Sequence, residues 1–450
     1  MSTTPSRILL KHARMVNEGK VFEGDLRIEN GRIAHIDASL SHRPGEQLVE
    51  LDGQYLLPGL IDDQVHFREP GLTHKGSIAS ESRAAVAGGI TSYIEQPNTV
   101  PAATTLEKLE AKYALASTQS MANYGFNLGA SNDNLDEILR MPAGRYPGVK
   151  VFMGSSTGDL LVDNPASVEA LFAQCPHLII THCEDEATIQ ANLEAAKAQF
   201  GDAIPPSMHP LIRSEEACWL SSSKAVELAK KHGSRLHVFH LSTARETGLF
   251  DSALPLGEKK ITAEVCVHHL WFDDSAYETK GNLIKWNPAI KTAADREGLW
   301  DALLDDRIDV IATDHAPHTL EEKSRPYLTA PSGGPLVQHA LPALFEFVRS
   351  GKISIETVVR KMCHNPALLF RIRERGFLRE GYFADLCVVD PARPFTVNKD
   401  NILYGCGWSP FSGTTFKARV ERTFVNGIQV YDRGRFAAEV AGQRLEHEAL

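Results

Sequence analysis

Apolar runs of strand length recur through the middle of the chain and alternate with segments of helical character. In the intervening segments 74–89, 164–175 and 214–233, apolar positions recur at helical spacing. Eight strands that alternate with helices predict an α/β fold of the (β/α)8 TIM-barrel type. The eight strand-like runs are residues 59–67, 90–97, 124–131, 148–156, 177–185, 235–243, 261–271 and 310–318.

The two ends of the chain have a different pattern, in which short alternating runs are separated by turns. Residues 5–57 contain such runs with Asn-Gly and Asp-Gly dipeptides, which are typical of β-hairpins. Runs of the same kind occupy 384–391 and 417–431. We therefore predict a small β-sandwich built from both termini, with 1–57 as its N-terminal part, 58–375 as the barrel, and 376–450 as its C-terminal part and tail.

Composition narrows the class of protein. The net charge of −10 argues against a nucleic-acid partner, because phosphates need a basic surface. The seven scattered cysteines form no CxxC pair, which favours a reduced protein without a cysteine-based zinc site. The first residues lack the apolar run of a signal peptide, and no apolar stretch approaches membrane-spanning length. These features predict a cytoplasmic location and no membrane association.

Polar side chains follow the apolar part of several predicted strands. His66, His182, His240 and Asp314 each lie at the carboxyl end of a run. In a barrel this end carries the active site, and packing alone does not explain repeated polar strand ends. Each histidine taken singly could be a hydrogen-bonded core residue, and Asp314 could be a helix cap or turn residue. Together they favour a metal site, in which Asp314 could also accept a proton from water.

Two further residues bear on this predicted site. Lys150 lies inside an apolar strand, where a free ammonium is costly to bury. It is either a snorkelling or ion-paired lysine, or a lysine carboxylated by CO2, which could bridge two metal ions. Gln64 lies two residues before His66 and therefore shares its face of the strand.

The motifs VHFREPG, GGITSYIEQPNT, THCEDE, HLST, WNPAIK and ATDHAPH resemble, in their order and spacing, the amidohydrolase superfamily and within it the dihydroorotase family. The resemblance covers nearly the whole chain. It implies a distorted (β/α)8 barrel with a β-sandwich made from both termini. The implied reaction is the reversible cyclisation of N-carbamoyl-L-aspartate to dihydroorotate in pyrimidine biosynthesis.

The resemblance also assigns roles to residues. It implies one metal held by His66 and Asp314, another held by His182 and His240, and a bridge at Lys150 as N6-carboxylysine. A hydroxide between the ions would attack the ring amide carbonyl, and Asp314 would carry the proton to the leaving nitrogen. The implied substrate contacts are Arg68, Asn98 and His318 to the carboxylate and Asn287 to the ring. The alternative for Arg68 is a surface ion pair with Glu69.

This sequence departs from the family pattern at the first strand, where the family carries His-x-His and this chain has Gln64. A glutamine carbonyl is a weaker zinc ligand than an imidazole. His74 is an unlikely replacement because it lies beyond the turn that follows the strand. We therefore expect either one tightly bound Zn2+ or two Zn2+ ions of unequal affinity. His268 and His269 are interpreted as structural.

Three readings remain open from the sequence. The first is an active dihydroorotase, which could form a homodimer. The second is a non-catalytic dihydroorotase-like scaffold for aspartate transcarbamoylase, which the loss of a ligand at Gln64 favours and the retained site residues oppose. The third is a related cyclic amidohydrolase such as an allantoinase or hydantoinase, which Arg68 and Asn98 oppose.

Overall fold

The computed structural model describes residues 7–154, 160–437 and 440–449. The last two residues of the predicted run 148–156 and the first two of the predicted β region 5–57 lie outside the described residues. The strands of the described residues are β1 (Arg7–Asn17), β2 (Lys20–Glu29), β3 (Arg32–Asp37), β4 (Gln47–Glu50), β5 (Tyr55–Pro58), β6 (Leu60–Val65), β7 (Ile90–Glu95), β8 (Asn123–Phe126), β9 (Leu128–Gly129), β10 (Val149–Phe152), β11 (Ile179–His182), β12 (Leu236–Val238), β13 (Ile261–Cys266), β14 (Val310–Ala312), β15 (Leu386–Asp390), β16 (Phe395–Thr396), β17 (Thr415–Phe416), β18 (Arg419–Val425), β19 (Ile428–Asp432) and β20 (Arg435–Phe436).

Helices connect the central strands. They are α1 (Ile78–Ala87), α2 (Leu106–Gln119), α3 (Leu135–Leu139), α4 (Pro165–Gln174), α5 (Glu186–Phe200), α6 (His209–Ile212), α7 (Glu215–His232), α8 (Val267–Trp271), α9 (Tyr277–Lys280), α10 (Ala293–Leu304), α11 (Leu320–Lys323), α12 (Ala340–Arg349), α13 (Ile355–Val359) and α14 (Asn365–Leu369), with a π-helical turn at Arg360–His364. Short 3-10 turns occupy Pro206–Met208, Glu246–Leu249, Leu256–Glu258, Asp274–Ala276 and Gly281–Ile284. None of the helices in the described ranges is long and apolar enough to cross a membrane.

Local sequence explains where the longer helices begin and end. The hydroxyl of Ser214 accepts a hydrogen bond from the Ala217 amide and begins α7, while Gly233 ends it in a left-handed conformation at φ 69°. Thr292 and Asp295 form a reciprocal capping box at the start of α10. The helical predictions for 74–89, 164–175 and 214–233 are confirmed by α1, α4 and α7.

The central strands form the predicted barrel. β6, β7 and β8 make one parallel sheet, and β9 to β14 make another in which neighbours in the chain are neighbours in space. A parallel bridge between Val65 of β6 and His315, in the segment that follows β14, joins the two ends of this series. The α/β prediction and its eight strand positions are confirmed, with two local differences.

The first difference is that run 124–131 is broken into β8 and β9 at Asn127. The second is that run 261–271 remains extended only to Cys266, because Val267–Trp271 forms helix α8. A short, continuously apolar run does not distinguish a buried strand from a buried helical turn. Here the helical turn places the His268 ring in a stacked arrangement against Trp286, with 4.5 Å between ring centroids.

Both ends of the chain contribute to one nine-stranded sheet beside the barrel, in the order β20-β19-β18-β15-β5-β1-β2-β3, with β4 paired to β1. β5 joins the two ends, because it pairs in parallel with β1 and antiparallel with β15. Buried residues of both termini, including Ile8, Leu10 and Phe424, share one apolar cluster. The boundaries 57/58 and 375/376 stay predictions.

Candidate active site at the carboxyl ends of the barrel strands

A cavity of about 300 Å³ opens at the carboxyl ends of the barrel strands. All nine residues singled out in the sequence line it, together with Gln64 and the wall residues Phe152, Trp286, Ala316, Pro331, Ser332 and Gly333. The nine residues come from seven stretches of the chain, which the fold brings together. They are His66, Arg68, Asn98, Lys150, His182, His240, Asn287, Asp314 and His318.

One part of the cavity, here called the two-histidine side, consists of His182, His240 and their support. His182 ends β11 and His240 follows β12, and their ring atoms Nδ1 and Nε2 lie 2.9 Å apart. The other ring nitrogen of His182, Nε2, lies 2.9 Å from Glu184 Oε2 and donates to that carboxylate. Because Nε2 carries the proton, the Nδ1 lone pair of His182 faces His240.

Electrostatics keep both imidazoles neutral. Burial lowers the pKa of His182, against the partial compensation from Glu184, and burial holds the pKa of His240 well below its usual value. Arg213 donates to Glu184 at 2.6 Å and helps hold the pKa of Glu184 far below its usual value despite burial. Neutral imidazoles with converging nitrogen atoms are metal donors, and a carboxylate behind one of them fixes its tautomer.

The opposite part, here called the glutamine side, consists of Gln64, His66 and Asp314. The Gln64 amide nitrogen donates to Asp314 Oδ1 at 3.2 Å, and His66 Nε2 lies 3.2 Å from the same oxygen. His66 Nδ1 lies 2.6 Å from Asn98 Oδ1. Gln64 thus turns its NH2 group, rather than its carbonyl oxygen, toward the donor atoms of His66 and Asp314.

Burial dominates the protonation of Asp314. It raises the pKa of this carboxyl to about 7, although the charges of Lys150 and His182 oppose the shift. A carboxyl group with a pKa near neutrality can both accept and release a proton, as a general base and acid must. Its backbone carbonyl accepts a hydrogen bond from Trp286 Nε1 at 3.2 Å, which fixes the loop after β14.

Lys150 projects from β10 into the cavity. Its ammonium nitrogen lies 3.9 Å from the centroid of the Phe239 ring and 5.1 Å from that of Phe152, and among the described residues it has no hydrogen-bonding partner. Burial lowers the pKa of Lys150 to about 7, against the charges of Glu264 and Asp314. A large share of this lysine is therefore the free amine at neutral pH.

Arg68 gives one end of the cavity a positive charge, and His318, whose pKa burial and the charge of Arg68 hold well below its usual value, lies beside it as a neutral imidazole. Arg68 Nε donates to Pro317 O at 3.0 Å, and its Nη2 lies 3.0 Å from His318 Nε2. Lys75 Nζ lies 3.0 Å from the other nitrogen of His318. The described contacts direct the Arg68 guanidinium into the cavity rather than toward Glu69, whose carboxylate accepts from the Ile78 amide.

Three of the cavity residues have a left-handed backbone, with φ 70° at Arg68, 38° at His240 and 47° at Asp314. This conformation is uncommon for residues other than glycine and costs about 1–3 kcal/mol. Such strain persists where the surrounding structure enforces it, and it is concentrated at functional sites. In this barrel it lies at turns that follow strands β6, β12 and β14.

Four further histidines lie outside the cavity lining. His315 is buried between Glu81, at 2.8 Å, and the amide of Leu336, so it shapes the loop beside Asp314. His74 is largely exposed near Glu322, which agrees with its exclusion as a substitute for the missing histidine. His268 and His269 are buried, and the His268 ring stacks on the wall residue Trp286.

Other residues near the cavity were missed by reasoning from the sequence. Glu184 and Lys75 support cavity residues, and Cys266 Sγ lies 3.5 Å from Gln64 Oε1. Glu184 lies in the THCEDE motif two residues after His182, so its position gave a usable signal. Cys266 gave none, because a cysteine inside an apolar strand reads as a small core residue.

Comparisons with known proteins agree on the chemistry class. A family model described as "Amidohydrolase family" matches residues 55–430. A dihydroorotase of Halobacterium salinarum is 34% identical over 427 residues, covering 93% of this chain and 96% of the relative. A dihydroorotase of Pyrococcus furiosus is 33% identical over 430 residues, covering 95% of this chain and 93% of the relative. The solved L-hydantoinase (dihydropyrimidinase) of Arthrobacter aurescens is 26% identical with a TM-score of 0.92, covering 98% of this chain and 99% of the hydantoinase chain.

Proposed function

The chain belongs to the amidohydrolase family, and from this membership and the cavity geometry we propose that it is a dihydroorotase. It interconverts N-carbamoyl-L-aspartate and (S)-dihydroorotate plus water, a step of pyrimidine biosynthesis. The observation that carries the proposal is the division of a single cavity into two ends. One end gathers metal-donor atoms around a carboxyl group of near-neutral pKa, and the other presents Arg68 and His318 to an anion.

The donor set fits a divalent metal ion. His182 Nδ1 and His240 Nε2 converge to 2.9 Å, and His240 Nδ1 has no partner among the described residues. The residues that would hold zinc are His182 and His240 on one side and His66 with Asp314 on the other. Bound zinc lowers the pKa of a water ligand and polarises a carbonyl oxygen.

Lys150 is proposed to be N6-carboxylysine between the two groups of donors. The free amine of lysine, not its ammonium form, reacts with CO2, and burial lowers the pKa of Lys150 to about 7. Carboxylation replaces a poorly solvated cation with an anion that offers two oxygen donors. The present contacts of Nζ, which are two aromatic rings, leave the amine without a competing acceptor among the described residues.

Asp314 is the acid–base group of the proposed reaction. In ring opening it accepts a proton as water attacks the amide carbonyl, and it returns that proton to the ring nitrogen as the C–N bond breaks. In ring closure the same steps run in reverse. A pKa of about 7 suits both directions, because the group is neither a very weak base nor a very weak acid.

Arg68, His318 and Asn98 are proposed to hold the carboxylate of dihydroorotate, and Asn287 to contact its ring. Arg68 offers a planar pair of donors suited to a carboxylate. Asn287 Oδ1 is buried and has no hydrogen-bond donor among the described residues, so it is available to a ring N–H. Uncharged hydantoins and dihydropyrimidines lack the carboxylate that would use the Arg68 end.

A comparison of dihydroorotate with dihydrouracil tests this proposal, because the two rings differ by the carboxylate. Zinc-loaded protein in bicarbonate buffer is expected to turn over dihydroorotate faster than dihydrouracil. Arg68→Lys should lower kcat/KM for dihydroorotate by roughly 10- to 100-fold, as expected for a lost charge-assisted contact. It should leave any dihydrouracil activity unchanged.

Two outcomes would contradict the proposal. Absence of turnover in fully zinc-loaded protein would favour the scaffold that partners aspartate transcarbamoylase. Equal or faster turnover of uncharged rings would favour a hydantoinase-like activity, the activity for which the Arthrobacter aurescens protein is named. A cytoplasmic location, a homodimer and an association with aspartate transcarbamoylase stay predictions.

A further inference from the structure

A second group of metal-donor residues lies inside the barrel, outside the cavity lining. Asp63 of β6, His237 of β12 and Glu264 of β13 are fully buried, with 0% exposure of each side chain. His237 Nε2 lies 3.3 Å from Asp63 Oδ2 and 3.3 Å from Glu264 Oε2. Their donor atoms all lie within 4.8 Å of one another. We call these three residues the buried triad.

Hydrogen bonding to Thr262 orients the His237 ring. The Thr262 hydroxyl lies 3.2 Å from Leu236 O, to which it can donate. The same hydroxyl oxygen lies 2.8 Å from His237 Nδ1 and can accept a hydrogen bond from that nitrogen. His237 Nε2 then faces the two carboxylates. Burial lowers the pKa of His237, but the hydrogen bonds and charges of Asp63 and Glu264 outweigh it and raise the pKa to about 9. The three side chains therefore share a cation, which is either a proton on Nε2 or a metal ion.

Asp63 adds an independent observation. Neither of its carboxylate oxygens has a hydrogen-bond donor among the described residues, although the side chain is fully buried. A buried carboxylate is costly unless its charge is compensated, and His237 Nε2, 3.3 Å from Asp63 Oδ2, compensates it only when that nitrogen carries a proton or a metal ion. Burial and the charge of Asp63 raise the pKa of Glu264, and the charge of Lys150 opposes this rise. The proposed carboxylation of Lys150 would remove that positive charge.

The spacing of the three side chains is compatible with a metal ion between them. Zinc bonds to nitrogen and oxygen ligands are about 2.0–2.2 Å long, and tetrahedral geometry then separates neighbouring ligand atoms by roughly 3.3–3.5 Å. The two separations from His237 Nε2, both 3.3 Å, match this value. Strong charge-assisted hydrogen bonds are shorter, at about 2.7–2.9 Å.

The ring also has the support that a metal ligand needs. Nδ1–H of a ligating histidine is almost always held by a hydrogen-bond acceptor, as Thr262 holds His237. One nitrogen and carboxylate oxygens are a donor set that zinc accepts.

We propose that Asp63, His237 and Glu264 bind a Zn2+ ion inside the barrel, separate from the metal proposed for the cavity. The site would affect catalysis indirectly, because Glu264 Oε1 also accepts the backbone N–H of His240 at 3.2 Å. A metal on Glu264 would therefore help hold the left-handed backbone of His240, at φ 38°, in place. The proposal does not depend on dihydroorotase activity, since metal occupancy is measured without turnover.

Zinc-edge anomalous diffraction from crystals of the unaltered, zinc-loaded protein tests the site directly. The expected result is an anomalous peak between the three side chains. A peak at His182 and His240 with none at the buried triad would overturn the proposal. The cation would then be a proton on His237 Nε2.

Zinc content of variants gives a second test. Asp63→Asn removes a charge from the buried triad, and its matched control is Asp62→Asn, the adjacent buried carboxyl that accepts from Thr313 instead. After exhaustive dialysis, Asp63→Asn should hold one zinc per chain fewer than the unaltered protein, whereas Asp62→Asn should not differ. His182→Asn should keep the triad's zinc while losing cavity zinc. Unchanged zinc content in folded Asp63→Asn would overturn the proposal, and the diffraction test decides if that variant does not fold.

Discussion

The metal-donor atoms on the two sides of the cavity differ in the contacts that they make with one another. On the two-histidine side, neutral imidazoles converge to 2.9 Å and Glu184 fixes the tautomer of His182. On the glutamine side, Gln64 and His66 both approach one oxygen of Asp314 at 3.2 Å. A metal that binds the glutamine side must replace these mutual contacts, whereas the two-histidine side loses only one. Metal affinity thus depends on what the donors do when the ion is absent as well as on their number.

The largest expected effect comes from the glutamine side, because it holds the acid–base group. Asp314→Asn keeps the size of the side chain but removes its ability to accept a proton. We expect kcat for dihydroorotate hydrolysis to fall by roughly 10²- to 10⁴-fold, the usual contribution of general acid–base catalysis. Steady-state kinetics at saturating zinc, with metal content measured on the same samples, provide the test.

The matched variant on the other side is Glu184→Gln, which weakens the support of His182 without touching Asp314. A kcat for Asp314→Asn within tenfold of the unaltered protein, at equal metal content, would show that proton transfer does not limit turnover. The glutamine side would then no longer be distinguished from the two-histidine side by holding the acid–base group.

The supporting shell of the two-histidine side gives the next largest effect. Glu184→Gln should lower zinc affinity by roughly 10- to 100-fold, because a neutral amide no longer fixes the charge and tautomer behind His182. Competition with a chromophoric chelator measures the change. The control is Glu81→Gln, which alters a buried glutamate at 2.8 Å from His315, outside the cavity lining. Equal loss in both variants would mean general damage rather than loss of support for a ligand.

The sequence alone was sufficient to predict those site residues that are recognised by their position at a strand end. His66, His182, His240 and Asp314 could be assigned because carboxyl ends of barrel strands meet at one face. Asn98 and Asn287 have no such signal, and they came from the resemblance to a family. Arg68 shares a strand-end motif with His66, but its direction toward His318 depends on the left-handed backbone at φ 70°.

The buried triad shows why the rest could not be predicted. Strict alternation would place Asp63 and Gln64 on opposite faces of β6. The pairing of β6 with β7 shifts register between Asp62 and Val65, and in this irregular stretch Asp63 meets His237 while Gln64 lines the cavity. His237 and Glu264 lie within apolar strands, where a sequence gives no sign of what lies opposite. The donor atoms of the buried triad come together only when the strands of the barrel assemble.

Acidification should change the zinc affinities of the two sides by different amounts. The pKa of Asp314 is raised to about 7 by burial, so protonation competes with metal on the glutamine side as the pH falls below neutrality. The pKa of His182 is lowered by burial, and that of His240 is well below its usual value, so these donors stay neutral at lower pH. Carboxylation of Lys150, whose pKa is about 7, is also favoured above neutrality.

At a fixed free zinc concentration, we therefore expect affinity of the glutamine side to fall by roughly tenfold per pH unit below about 7, the loss for one competing proton. Affinity of the two-histidine side should change little until the pH is lower. Zinc titrations across this range, repeated with Asp314→Asn, measure the effect. If both sides lost zinc affinity equally as the pH falls, protonation of Asp314 would not be the cause. The same conclusion would follow if Asp314→Asn kept the pH dependence of the unaltered protein.

The smallest expected effect comes from the substitution that restores the histidine of the family pattern at position 64. Gln64→His supplies an imidazole where the amide NH2 now donates to Asp314, so a hydrogen-bonding partner of Asp314 becomes a metal donor. We expect zinc affinity of the glutamine side to rise by about tenfold, or about 1.4 kcal/mol, while the two-histidine side stays unchanged. Gln64→Asn is the matched control, because it keeps the amide but shortens its reach. If Gln64→His and Gln64→Asn bind zinc equally, the side-chain type at this position does not set affinity. The mutual contacts of His66 and Asp314 would then be sufficient to explain the difference between the two sides.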